Sequence, residues 1–235
     1  MRLVLLLILL LPASAALGQA MSVVARNRAE QNFPLILEAW NHRIEQNGGV
    51  HAWNRHNDGM RVFQEWITLL TLAKDRGEAA RRQAGRKLER YVVDQDIRPL
   101  GFLGTSLPMP GYDDGDFDMA LLGCVSLIHL FQGDPLLLTD RTLVHLVTKV
   151  IRLWGQNSKE HFDVLFVSMP ETENHLFMIE SSRFLTNQLI LENHRRLPAF
   201  VALKDSLARH GVDLDNGAGP LRRRLLKVMH QVMCK

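Results

Sequence analysis

The sequence predicts an all-α fold built from antiparallel helical hairpins. Three observations carry that expectation. Apolar residues recur at three- and four-residue intervals along most of the chain. Gly and Pro gather between those periodic segments rather than within them. Strand-like composition is confined to a short run at 164–167 inside an irregular stretch, 157–170.

The first predicted helix covers 33–46, with Pro34 in its first turn and Gly48-Gly49 beyond its end. The second covers 58–75 and places Val62, Phe63, Trp66, Leu69, Leu70 and Ala73 on one face. A more polar helix follows at 78–93. The stretch 96–112 then holds Pro99, Gly101, Gly104, Pro108, Pro110 and Gly111, which excludes a helix there. Helices resume at 118–132 and 140–154, separated by Gly133-Asp134-Pro135. The longest pattern is 173–196. Pro198 opens another helix that runs to about His210, and 221–234 is the last. Its stripe of Leu221, Leu225, Val228, Met229 and Val232 requires an apolar partner.

A chain of 235 residues with 46% hydrophobic and 23% charged residues is globular and of single-domain size. The formal charge is +3. Basic clusters at Arg81, Arg82, Arg86 and Lys87, and at Arg222, Arg223, Arg224 and Lys227, fall on predicted helices with no nucleic-acid reading motif, so solvated helix faces are expected and no nucleic-acid partner. Residues 1–20 have the pattern of a secretory signal peptide: Arg2, an unbroken apolar run from Leu3 to Leu11, then small residues. The expected product is a secreted or periplasmic helical domain, 21–235, with no membrane segment beyond the signal. Export permits a disulfide between Cys124 and Cys234, but Cys124 sits in an apolar helical pattern, where a buried free thiol is the competing expectation.

Two polar loops run directly into apolar helices. In Gly111-Tyr112-Asp113-Asp114-Gly115-Asp116-Phe117-Asp118, acidic groups stand at a predicted helix start, where the macrodipole favours them. Asp116 serves there as a helix cap, or Asp116 and Asp118 contact a ligand. Alternating carboxylates also suit Ca²⁺, but the closing Glu of a calcium loop is absent, so no metal and no cofactor is expected. In Pro170-Glu171-Thr172-Glu173-Asn174-His175, Thr172 caps the next helix and Glu173 complements its dipole. Asn174 and His175 have no such structural account. A first-turn histidine is held neutral by the dipole and is then a usable general base. Arg183, about 12 Å further along that helix, pairs with Glu180 on the surface or reaches an anionic substrate. The triplet Glu192-Asn193-His194 repeats the motif at the helix's other end, where a structural role is expected. A third polar loop, 51–56, carries Trp53, a core anchor or a sugar-stacking platform.

On the motifs 112–121 and 171–188 the chain resembles uncharacterised exported bacterial proteins. These are similar to the α/α-toroid carbohydrate-active group, which includes alginate-lyase-like and heparinase-like polysaccharide lyases. The resemblance covers about residues 110–190 and implies a partial or incomplete α/α toroid, possessing fewer helices than a full ring. It also implies an acidic polysaccharide or oligosaccharide as partner. In such lyases an Asn and a His act beside a Tyr; Asn174 and His175 match the first two, and Tyr112 takes the third place. Asn174 would neutralise a uronate carboxylate, His175 would remove the C5 proton, Tyr112 would protonate the leaving oxygen and Arg183 would hold substrate charge. Two alternatives stay open. One is an inverting glycoside hydrolase that sets Asp116 or Asp118 opposite Glu171 or Glu173. The other is a non-catalytic helical module that binds a glycan or a protein.

Overall fold

The computed structural model describes residues 23–50, 58–95, 117–154, 161–164, 167–170, 173–209, 214 and 223. For 23–29, 58–60, 117–119, 152–154, 161–164, 167–170 and 173–176 that description is of the backbone. Seven α-helices pack together among these residues: α1 (Val23–Gln46), α2 (Asp58–Lys74), α3 (Glu78–Glu89), α4 (Phe117–Phe131), α5 (Asp140–His145), α6 (Glu173–Asn193) and α7 (Pro198–Arg209). The all-helical expectation therefore holds, apart from one hairpin. α3 and α5 continue into π-helical turns at Arg90–Asp94 and Leu146–Trp154, for which the sequence carries no visible signal.

Most helix bounds agree with the periodicity to within a few residues. The exception is α1, which begins ten residues before the expected start at Phe33. Pro34 lies inside it instead of in its first turn. A proline there removes one backbone hydrogen bond but already has a helical φ, so the helix passes through it. The predicted strand at 164–167 is also corrected. Strands β1 (His161–Val164) and β2 (Val167–Pro170) pair antiparallel, with His161 opposite Pro170 and Val164 opposite Val167. The run at 164–167 spans the ends of both strands. Of the last predicted helix, 221–234, only Arg223 falls among the described residues, and the signal segment lies outside them.

α4 is the centre of the fold. Ala120, Leu121, Cys124, Val125, Leu127, Ile128 and Phe131 are buried around most of its circumference, because α2 packs on one side, α6 on another, and the Leu146–Trp154 segment on a third. A helix apolar all round belongs in such a position. Gly123 lets α2 approach: a Cβ there would lie 2.9 Å from the Cβ of Phe63.

The contacts fix the directions. Phe63 in the first half of α2 meets Gly123 in the middle of α4, while Thr71 and Lys74 at the end of α2 share a groove with Leu130 and Phe131 at the end of α4. His129 Nε2 approaches the Leu185 carbonyl (3.3 Å), and Gln132 contacts both Glu192 and Asn193. Hence α2, α4 and α6 form a row running the same way. α3 returns antiparallel to α2 after the tight turn 75–77, bringing Tyr91 beside Trp66 with ring centroids 5.4 Å apart.

Polar contacts tie the backing layer together. Arg81 of α3 reaches Asp134 (3.0 Å), whose other oxygen accepts from the Leu136 N–H. Arg141 bridges Glu89 and Asp94. Thr139 caps α5 by accepting from the Thr142 N–H (3.2 Å) and donates its own hydroxyl to Glu89. Arg82 pairs with Glu78 one turn away. The Arg81–Lys87 basic cluster is thus a solvated face, partly neutralised by structural acids. α7 buries Phe200 and Leu207, seven residues apart on one face, and packs against α6.

Candidate functional site

The shared direction of α2, α4 and α6 has a consequence for the polar motifs. The segments that lead into these helices, 47–57, 95–116 and 155–172, all enter at one end of the row. That end also presents three helix N-termini, with their free N–H groups and partial positive charge. At the opposite end the chain leaves by the shorter connections 75–77, 132–139 and 194–197.

Trp53, Tyr112, Asp116 and Glu171 lie outside the described residues. Asp118 is the second residue of α4. Glu173, Asn174 and His175 are the first three of α6. For these four, the first-turn position in a helix is what the structure describes. α4 and α6, expected as neighbours once removed in sequence, are in direct contact.

Arg183 is described in full. Its Nη1 donates to Glu180 Oε1 at 2.8 Å. The i, i+3 pair is present as expected, but it is not a surface pair: the Glu180 side chain is 2% exposed and Arg183 38%. Burial pushes the Glu180 carboxyl above its ordinary value, and Arg183 pulls it back. Arg183 is therefore first the counter-ion of a buried acid. Removing it would take that counter-charge away from the buried acid.

α6 is lined with buried polar groups that periodicity alone treats as a stripe. Thr186 Oγ1 donates to the Ser182 carbonyl (2.7 Å) and Ser181 Oγ to that of Met178 (3.1 Å), so their hydroxyls are satisfied inside the helix. Asn193 Nδ2 donates to the Leu189 carbonyl and to Gln132, joining the ends of α6 and α4. That bond gives the second triplet the structural role expected of it. His194 Nδ1 also contacts the Leu191 carbonyl at 2.6 Å.

Two groups were not singled out from the sequence. Glu65 on α2 is fully buried and accepts from Arg61 Nε at 3.0 Å. The i, i+4 spacing shows the pair but not its burial. His129 sits in the α4–α6 contact with Nε2 against the Leu185 carbonyl. Burial holds its imidazole below the ordinary 6.5, with the Leu185 carbonyl and Glu192 opposing. Its place on an otherwise apolar helix was the available signal.

Cys124 is a free, buried thiol whose titration burial pushes far upward, and Cys234 lies outside the described residues. Among the described residues no group of three His, Cys, Asp or Glu side chains could hold a metal ion, and no helix is long and apolar enough to cross a membrane. No protein-family model, curated protein or solved structure matches this chain.

Proposed function

We infer that this is an exported protein that binds an acidic polysaccharide at the N-terminal end of the α2–α4–α6 row and cleaves it by β-elimination. The observation that supports this reading is the common direction of the three helices. It gives the Tyr112–Asp118 and Glu171–His175 segments a common end of the fold to enter. Three helix N-termini there favour an anionic ligand, each by about 0.3–1 kcal/mol. A row of co-directional helices with returning helices behind it is also what an α/α toroid repeats. The chain is accordingly read as part of such a ring.

In this reading Asn174 hydrogen-bonds the uronate carboxylate, which makes the C5 proton more acidic. His175, neutral in the first turn of α6, removes that proton. The electron pair forms the C4–C5 double bond as the C4–O bond breaks. Tyr112 gives its phenolic proton to the departing glycosidic oxygen. Exchange with water then restores both side chains. Arg183 acts indirectly, because its guanidinium is held by Glu180.

The test is incubation of the mature chain with a panel of uronate-containing polysaccharides. β-Elimination yields a new non-reducing end that absorbs in the ultraviolet. New reducing ends without that band would assign a hydrolase instead. Retention of the polymer with neither product would reduce the protein to a binding module.

A further inference from the structure

A second site lies toward the opposite end of the row. A groove of about 400 Å³ opens between α1, α2 and the last turn of α4. Ligand pockets fall in the range of roughly 300–1,000 Å³. Phe33, Ile36 and Trp40 of α1 form one wall, and Ile67 and Phe131 line the other side. Ile36 is 52% exposed. Thr68 and Thr71 also line the groove, but both hydroxyls donate to backbone carbonyls one turn earlier, at 2.9 and 2.7 Å, so they add little free polarity.

Two lining groups remain available. Lys74, at the end of α2, is exposed and makes no ion pair among the described residues; no acidic residue lines the groove beside it. The Gln64 side-chain amide makes no hydrogen bond among the described residues. Ten residues separate them, about 15 Å along the helix axis. The groove is thus an apolar channel with one cation at one end and one neutral amide toward the other.

We propose that this groove binds a long-chain carboxylate, with its acyl chain along Phe33, Ile36 and Trp40 and its head group at Lys74. The charge pattern selects this occupant. An uncharged hydrocarbon would leave Lys74 unused, and a cationic amphiphile would be repelled by it. The site lies away from the entering polar segments and is independent of the glycan reading.

Isothermal titration calorimetry with laurate, dodecanol and dodecylamine on the full chain tests the proposal. One saturable laurate site is expected, with weaker binding of dodecanol and none of dodecylamine. Lys74→Met keeps the apolar stem and removes the charge; it should weaken laurate several-fold and leave dodecanol unchanged. Ile36→Asp, at an exposed position, should abolish both while circular dichroism stays the same. Absence of saturable laurate binding would overturn the proposal, as would binding that neither variant alters. A chain that sediments as a dimer, is dispersed by Ile36→Asp and ignores laurate would assign the groove to a second copy instead, and that too would overturn it.

Discussion

The two ends of the α2–α4–α6 row are built on opposite principles. At the N-terminal end the chain enters through 47–57, 95–116 and 155–172, rich in Gly, Pro and ionisable residues. At the C-terminal end it leaves by shorter connections, and the side chains there are pinned. Asn193 holds Gln132, His194 holds the Leu191 carbonyl, and Asp134 receives both Arg81 and a backbone N–H. One end is fixed by its own hydrogen bonds, whereas the other is entered by long polar connecting segments. Segments of the second kind are where binding and catalytic residues concentrate. The difference predicts that substitutions within the packed row cost stability, and that those at its entering end cost activity instead.

The largest effect on stability is expected in the middle of the row. Leu127→Ala removes a fully buried side chain from α4 and should cost about 2–5 kcal/mol in urea unfolding. A cost below ~1 kcal/mol would mean that α4 is less tightly enclosed than described. Next come the close approaches. A Cβ at Gly85 would fall on the Leu136 carbonyl oxygen, and one at Gly123 would press on Phe63. Gly85→Ala and Gly123→Ala should each cost about 1–3 kcal/mol. Gly85 should be the worse, since a backbone oxygen yields less readily than a side chain. The reverse order would show that α2 and α4 meet more tightly than α3 and the 134–139 turn.

A smaller effect is expected from acid. The His129 imidazole is held below its ordinary 6.5, so the unfolded chain binds the proton more tightly. Stability from this group is complete above pH 6.5 and is lost as pH falls through the lowered folded value. Glu89 behaves alike in a lower window. The hydroxyl of Thr139, aided by Arg141, holds it below 4.5 against burial, and its contribution is lost as pH falls through that lowered value. Glu180 has the opposite sign: its folded value is raised, so its contribution is present at low pH and declines as pH rises through that value. Thermal melts from pH 7 to pH 5 should therefore show a modest loss that His129→Gln reduces. An unchanged loss in that variant would remove His129 as its source.

Helix periodicity made most of this architecture legible. The starts at Asp58, Glu78, Asp140, Glu173 and Pro198 follow from caps, breakers and apolar spacing. Less legible were features set by contacts distant in sequence. Pro34 looked like a helix start because proline favours a first turn, yet the helix continues through it. Glu180 and Arg183 looked like a surface pair because i, i+3 spacing does not reveal burial. The hairpin at 161–170 was half-seen, since Val164 and Val167 face each other across it. The direction of α6 relative to α4 depends on contacts such as His129 with Leu185, which no local pattern encodes. The first-turn positions of Asp118, Asn174 and His175 could be read from the chain; the chemistry proposed for them rests on the lyase resemblance.

The smallest expected effect on stability belongs to His175→Ala, and it tests the central claim most directly. The variant and a His194→Ala control should be assayed with the parent chain on the panel of uronate-containing polysaccharides that tests the proposed β-elimination. Melting temperature should be followed alongside. The account predicts that His175→Ala lowers turnover by about 10²–10⁴, as loss of a general base does, with little change in melting temperature. His194→Ala, at the pinned end of α6, should leave turnover intact. Unchanged turnover in His175→Ala, or equal loss in the two variants, would contradict it.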